Sequence, residues 1–332
     1  MRCGIGNINE MCFAFWDSAV LRAAIKLGIF PLLEQKKMSA LEVSQHLKAS
    51  PHFVKVFLEC CVELGLLKKE ENNFKNSQYA SEFLIPGTQT YQGDYITHIT
   101  NFWHVWGKLD ELIIEGRPEF PFENNFVDEA TYWTDYIKGR HNLAMAGQGS
   151  ALAKYTDLKN RSKMLDLGGG SASYSIALCT ANPNLKAVVV DRKEPLEIAL
   201  SLLKQYNLQD RITLLEADFN TIELDTDYDV VLLSAILRPI SKEECLRVLV
   251  KAYDALLPGG LLIVQEFMPL GDTPQRSFRQ TMMELFLTIG FKLGSGNRSK
   301  EEIESWLKST GYRDLKLVSL PTQTTLILAE KP

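Results

Sequence analysis

Apolar positions in this chain follow two rhythms, and the change between them divides it. Beyond residue 160, short and almost uninterrupted apolar blocks recur at 164–167, 186–191, 212–219, 228–234, 258–266, 312–319 and 324–330. Residues 172–179, 194–206 and 241–257 lie between blocks and carry helical spacing, with Ser241 as N-cap and Glu244 as its capping-box partner. Strands that are apolar throughout and alternate with helices predict a parallel sheet covered on both faces. The last two strands are separated only by residues 320–323, too short a link for a crossover helix, so they must pair antiparallel. The predicted class is α/β, a doubly wound sheet of seven strands that ends in an antiparallel hairpin.

The first hundred residues have a different texture. Residues 9–33 read as a helical stretch and 39–47 as a short helix capped by Ser39. Residues 51–64 read as another helix, with Pro51 in its first turn and Gly65 just past its end. A small hairpin is predicted from 66–69 and 73–75, giving the helix–helix–wing order of a winged helix. Its second helix carries Phe53, Val54, Val56, Phe57, Leu58, Cys60 and Cys61. Base edges are read by Arg, Asn or Gln, so this face predicts dimerisation rather than DNA binding. Three regions are expected: 1–100 for dimerisation, 101–150 as a helical linker that contributes to an acceptor pocket, and 151–332 for cofactor binding.

The richest stretch is 164–171, MLDLGGGS, a buried strand running into a glycine turn with Asp166 just before it. Residues without a Cβ let backbone N–H groups approach a ligand closely. The next strand ends in Asp191, about 20 residues beyond the turn, where a carboxylate can accept both hydroxyls of a ribose. A third strand ends in Asp218 and Phe219, which suit an adenine amino group and ring. A dinucleotide fingerprint would place a third glycine where Ser173 stands. The pattern instead reads Asp166-x-Gly168-x-Gly170-x-Ala172, a methyltransferase turn with one departure, at Ala172.

On these residues, 132–332 resemble the class I S-adenosylmethionine (SAM)-dependent methyltransferases, a Rossmann-like fold. The whole chain resembles the small-molecule O-methyltransferases with an N-terminal winged-helix dimerisation domain. Residues 20–30, 64–67 and 297–299 also look like that family. The resemblance implies SAM as cofactor, its methionyl tail in the turn with Asp166, Gly168 and Gly170. It implies Asp191 with Arg192 at the ribose, Asp218 and Phe219 at the adenine, and Ser234 on the cofactor side.

Composition narrows the partners. The length of 332 residues fits two domains. A formal net charge of −5 argues against nucleic acid, which demands a basic face. No apolar run reaches the roughly 18 residues of a membrane span, and residues 1–6 lack the apolar core of a signal peptide. The six cysteines show neither metal-ligand spacing nor a disulfide framework, so no metal and a reducing cytoplasm are expected.

Aromatic residues concentrate at 101–106, 120–126 and 132–133. Such clusters build cores, and they also build pockets for flat acceptors at domain junctions. Trp103, Trp106, Met145 and Met283 are the expected substrate contacts, Met145 by resemblance. The departure from the family comes after the fourth strand. The usual Ile-Leu-His-Asp supplies a general base; here the residues are Ile236, Leu237, Arg238 and Pro239. Arginine stays protonated and cannot take a proton.

Three explanations are open: an acceptor that is already nucleophilic, another base from His104 or His141, or SAM kept without methyl transfer. A bacteriochlorophyllide C-methyltransferase branch, which this chain resembles weakly, also lacks that histidine. Glu266 aligns with a family acid near the acceptor, or is a strand-end carboxylate facing solvent. A nicotinamide-dependent oxidoreductase and a SAM-sensing regulator are the readings from other classes. The expected assembly is a homodimer acting on a small, aromatic or conjugated acceptor at C, N or O.

Overall fold

The computed structural model describes residues 5–219, 221–267, 278–322 and 324–332. Cys3 lies outside the described residues, as does Gln323 of the final link. The chain divides into two compact units, Met1–Thr100 and Asn101–Pro332.

The first unit opens with α1 (Ile5–Phe13), α2 (Phe15–Lys26) and α3 (Ile29–Gln35). Residues 9–33 are therefore not one helix. Gly28 takes a left-handed φ of 66°, which caps α2 and redirects the chain. β1 (Met38–Ser39) leads into α4 (Ala40–Leu47), where Ser39 and Glu42 form a complete capping box. α5 (Pro51–Glu63) buries Val54, Leu58 and Cys61. β2 (Leu67–Glu70) and β3 (Asn73–Asn76) form the wing, and the strand order is β1-β3-β2. α6 (Gln78–Phe83) and α7 (Gly93–Asn101) follow. Ile29, Phe30, Val43, Leu58 and Phe74 centre the core.

The second unit begins with short α8 (Trp103–Gly107) and α9 (Leu109–Glu115), then α10 (Glu129–Leu143), a π-helical turn at Ala144–Gln148 and α11 (Gly149–Tyr155). The sheet and its helices follow: β4 (Lys163–Leu167), α12 (Ser173–Ala181), β5 (Lys186–Asp191), α13 (Lys193–Tyr206), β6 (Ile212–Glu216), β7 (Tyr228–Ser234), α14 (Lys242–Ala255) and β8 (Leu256–Glu266). The chain closes with α15 (Phe278–Gly290), α16 (Lys300–Thr310), β9 (Arg313–Ser319) and β10 (Thr325–Glu330).

The strand order is β6-β5-β4-β7-β8-β10-β9. Pairings from β6 to β8 are parallel, and β10 runs antiparallel to both β8 and β9. This is the predicted seven-stranded sheet with its antiparallel hairpin. Two apolar cores cover its faces: one gathers Met164, Val189, Val230 and Ile263, the other Leu165, Val231, Leu262 and Ile327. Neighbouring residues on one strand therefore feed opposite faces, the reason these strands are apolar without alternation. The predicted box at Ser241 and Glu244 is present. The strand order reverses at β4 and β5 on one side and β7 on the other, which opens a crevice at their C-terminal ends.

Candidate active site

The glycine turn sits at that crevice, and its three glycines are needed for different reasons. Gly168 has φ 73°, and a Cβ there would fall 2.5 Å from Ile236 Cδ1. Gly169, not singled out by the sequence pattern, is enclosed by two side chains: a Cβ would fall 2.6 Å from Asp166 Cγ and 2.7 Å from Val189 Cγ1. Gly170 has φ 56° and donates its N–H to Asp191 Oδ2 at 2.7 Å. Ala172, at φ 58°, holds a left-handed conformation that costs an L-residue on the order of 1–2 kcal/mol.

Asp166 is fully enclosed behind the turn. It accepts from Ser175 Oγ at 2.6 Å, while its Oδ1 takes no hydrogen bond among the described residues. Burial raises its carboxyl to about 7 against the opposing Ser175 bond. Asp191 is half-buried. Its oxygens accept from Gly170 N–H and, at 2.8 Å, from Arg192 N–H. Burial still lifts its pKa above the usual carboxylate range. Each oxygen has a second lone pair, so the same carboxylate can also accept ligand hydroxyls.

The Asp191 carbonyl accepts from Ala217 N–H at 3.0 Å, drawing the exit of β6 alongside. Phe219 follows, half-buried, with Cδ1 3.9 Å from the Cβ position of Gly168. Asp218 is exposed, and its charge acts on Lys251. The Arg192 guanidinium lies over the Trp133 ring at 4.8 Å. Asp166, Gly168, Gly170, Asp191, Arg192 and Phe219 are thus gathered around one turn. Ser234 ends β7 with its hydroxyl bonded to Gln265 Oε1 at 3.2 Å.

Helix α10 reaches the same turn. His141 Nδ1 meets Ser173 Oγ at 2.7 Å, and Ser173 meets Ser171 Oγ at 2.7 Å. Burial lowers the imidazole to about 4, so it is neutral at pH 7. One step on, Tyr174 donates to Gln148 Oε1 at 2.6 Å, tying the π-helical turn that carries half-buried Met145 to α12. π-Turns of this kind are frequent at functional sites. The serines and Gln148 gave no signal in the sequence, because their partners are remote in the chain.

The loop after β7 carries Arg238, buried, with its guanidinium over the Phe267 ring at 5.1 Å. The carbonyls of residues 237–240 are all engaged. Arg298 Nε donates to Leu237 O at 3.2 Å, and its Nη2 donates to Ile240 O and, at 2.8 Å, to Gly294 O. Gly296 N–H donates to Arg238 O at 2.9 Å, and Ser295 Oγ to Pro239 O at 2.9 Å. Glu266 is fully buried, so it does not face solvent. Its Oε1 accepts from Leu237 N–H at 2.9 Å, and its Oε2 takes no hydrogen bond among the described residues. Burial raises its carboxyl even against the pull of Arg238.

His104 is placed differently. It is exposed on α8 and lies parallel to the Phe126 ring at 6.1 Å, whereas His141 touches the turn. Trp103, Trp106 and Met283 are half-buried. Much of the aromatic cluster is core: Phe102 packs on Phe286 at 4.7 Å and Phe291 at 6.1 Å, and Phe122 on Tyr132 at 5.3 Å.

A turn with no room for a Cβ at Gly168 or Gly169, two carboxylates and a flanking aromatic ring suit a nucleoside with a short polar tail. The description "O-methyltransferase domain" matches residues 106–313, and "O-methyltransferase dimerisation domain" matches 9–86. The chain belongs to the O-methyltransferase family. Among curated relatives, the 3-hydroxy-5-methyl-1-naphthoate 3-O-methyltransferase of Streptomyces sahachiroi is 25% identical over 94% of this chain and 90% of its own length. The L-tyrosine C(3)-methyltransferase of Streptomyces lavendulae is 28% identical over 74% and 69%. The fold is shared with human N-acetylserotonin methyltransferase, solved in complex with SAM, at a TM-score of 0.86 and 23% identity over 98% of this chain and 96% of that one. As a family member the chain is a SAM-dependent methyltransferase, and SAM is its cofactor. Among the described residues no helix is long and apolar enough to cross a membrane.

Proposed function

We propose that this methyltransferase acts on a small aromatic or conjugated acceptor without a histidine base, using Arg238 to stabilise the acceptor's anionic form. The cofactor supplies an electron-poor methyl on a sulfonium. The protein's task is to align the acceptor atom with it and to exclude water. Asp191 takes the ribose hydroxyls through its remaining lone pairs, with Arg192 beside it. Phe219 lies against the adenine, and Asp166 with the backbone of Gly168 and Gly170 receives the methionyl tail. The turn supports this: a Cβ at Gly168 or Gly169 would meet Ile236, Asp166 and Val189, and a buried Asp166 oxygen is left for a donor.

The position of Arg238 carries the reading. Ile236 packs against Gly168, so the loop lies against the turn two residues before Arg238, whose guanidinium lies 5.1 Å from the centre of the Phe267 ring. An opposite charge near an acidic hydroxyl or enol favours its ionised form. The proton can then leave without abstraction by a histidine in the family's usual place. His141, neutral at pH 7 and bonded to the turn, is the nearer candidate to receive it. Met145 and the half-buried Trp103, Trp106 and Met283 are the side chains proposed to meet the acceptor ring. The sahachiroi and lavendulae relatives, named for a naphthoate and for tyrosine, support an aromatic acceptor and leave O and C open.

Exposed apolar side chains on α1 and α2, among them Met11, Phe13, Phe15 and Trp16, support a homodimer. Phe53 and Val56 are exposed on α5, where base readers would stand in a DNA-binding helix, supporting small-molecule rather than nucleic-acid chemistry. The five described cysteines are free thiols, in keeping with a reducing cytoplasm. The test is methyl transfer from methyl-labelled SAM to a panel of phenols, enols and aromatic amines. Label in an acidic phenol or enol, lost in Arg238→Met, supports the proposal; equal labelling by that variant contradicts it.

A further inference from the structure

Helix α10 meets the glycine turn along one face. Ile137 Cδ1 comes 3.8 Å from where a Cβ at Gly170 would stand, and four residues on, His141 Nδ1 meets Ser173 Oγ at 2.7 Å. Residues four apart share a helix face, so both contacts come from the same side of α10. The second contact continues into a chain. Ser173 Oγ stands 2.7 Å from the hydroxyl of Ser171, a residue of the turn itself, and both serines are buried. The Ser171 hydroxyl makes no other hydrogen bond among the described residues. His141 is half-buried, and its Nε2 takes no hydrogen bond among the described residues. One ring nitrogen is held and the other is unengaged.

A neutral imidazole carries one N–H, and the partner of one nitrogen decides which bears it. Burial keeps His141 neutral at pH 7. The serine chain can run in two directions. Run from His141 outward, Nδ1–H donates to Ser173, Ser173 donates to Ser171, and the last hydrogen is left for an acceptor in the turn. Nε2 is then a bare lone pair. Run the other way, Ser173 donates to Nδ1 and Nε2 carries the hydrogen. An anionic group in the turn, such as the carboxylate of the methionyl tail, favours the first direction because it accepts from Ser171.

We infer that Ser173, backed by Ser171, is a positioning residue that fixes His141 in the tautomer with a bare Nε2, the form able to take the acceptor's proton. This rests on the methyl-transfer reading in which His141 receives that proton. The acceptor's bond to hydrogen breaks and the proton passes to Nε2. The electron pair left behind bonds the methyl carbon, and the carbon–sulfur pair returns to sulfur. His141 then releases the proton to water from Nε2.

The experiment is nitrogen NMR of the full chain carrying isotope-labelled histidine, ligand-free and saturated with the demethylated product, S-adenosylhomocysteine (SAH). His141 is identified by the signal lost in His141→Gln. In the SAH complex of the parent, Nδ1 is expected to carry the hydrogen and Nε2 to be bare. Ser173→Ala should leave the tautomers mixed or reversed. Ser171→Ala should shift His141 toward Nε2–H, because Ser173 then turns its own hydrogen to Nδ1. Turnover is the second readout. Ser173→Ala should lower kcat about tenfold with KM for SAM within about threefold of the parent, and Ser173→Thr, which keeps the hydroxyl, should recover it.

A ring hydrogen on Nε2 in the SAH complex of the parent would overturn the inference, as would the parent's tautomer persisting in Ser173→Ala. So would a Ser173→Thr chain that melts like the parent and recovers no turnover. An SAH affinity lower by about tenfold or more in Ser173→Ala, with the tautomer unchanged, would assign the serine to the cofactor and overturn it as well. Full turnover in His141→Gln would remove the proton-acceptor reading, and the spectra would still decide what Ser173 holds. If the parent bound no SAH, the methyl-transfer reading would fail, and the ligand-free spectra of parent and Ser173→Ala would decide the serine's part.

Discussion

His141 Nδ1 stands 2.7 Å from Ser173 Oγ, joining the end of α10 to the first residue of α12. The bond forms directly after the glycine turn, so the helix that leads to Met145 is anchored beside that turn. It also buries an imidazole that folding keeps neutral.

That burial has a pH signature. The folded His141 pKa is about 4, below its ordinary 6.5, so the unfolded chain binds the proton more readily. Its contribution to stability is complete above about pH 6.5 and is lost as pH falls toward 4. Asp166 has the opposite sign: its folded pKa of about 7 lies above the ordinary 3.8. Stability from its protonated form is complete below about pH 4 and is lost as pH rises through 7. Melting curves of the parent minus Asp166→Asn should fall steadily from pH 4 to 8, and those of the parent minus His141→Gln should rise from pH 4 to 7. Flat difference curves would contradict both burials.

Gly169→Ala drives a methyl into the Asp166 carboxyl and Val189. We expect a loss of about 1–3 kcal/mol by urea denaturation, with SAM binding sharply weakened. Ala172→Gly is the control. It relieves a left-handed alanine but gives up a buried methyl worth about 0.8 kcal/mol, so stability should change little. A tolerated Gly169→Ala would mean that the turn can shift.

Arg298→Met removes donors from the carbonyls of Leu237, Ile240 and Gly294 at once. Leu237 O keeps the Cys245 thiol and Gly294 is exposed, which leaves the Ile240 carbonyl unsatisfied at a cost of about 1–3 kcal/mol, so a melting temperature lower by several degrees and reduced turnover are expected. Arg298→Lys should recover the charge but not the multiple bonds.

Much of this was legible in the sequence. Uninterrupted apolar blocks announced the parallel strands, the four-residue link announced the hairpin, and Asp166, Asp191 and the glycines announced a turn flanked by two carboxylates. Contacts that depend on distance in the chain could not be read. Nothing in the strand before Gly169 tells it that Val189 of the next strand will close on it. Glu266 looked equally like a solvent-facing carboxylate until β10 covered β8. The helical stretch at 9–33 gave no sign of its breaks, at Ala14 and at Gly28, where the chain turns by adopting positive φ.

Assembly follows from α1 and α2. A chain carrying Phe13→Glu and Trp16→Glu places charge on the exposed apolar face, and light scattering should show it as a monomer where the parent is a dimer. A parent that is monomeric at micromolar concentration would remove the dimer.

The role proposed for Arg238 is separable from cofactor binding. Arg238→Met should lower turnover at least about tenfold with SAM affinity preserved, and Arg238→His should not create activity on simple phenols, because Pro239 stands where the family has Asp. Strong phenol methylation by Arg238→His would mean a conventional pocket.

The most direct measurement is calorimetric titration of SAM, SAH and NAD into the parent and into Asp191→Ala, with a melting curve for each. SAM and SAH should bind the parent and NAD should not, and Asp191→Ala should lose at least about tenfold in SAM affinity while still melting cooperatively. Unchanged SAM affinity in Asp191→Ala, or preferential binding of NAD, would contradict the assignment of this turn to SAM.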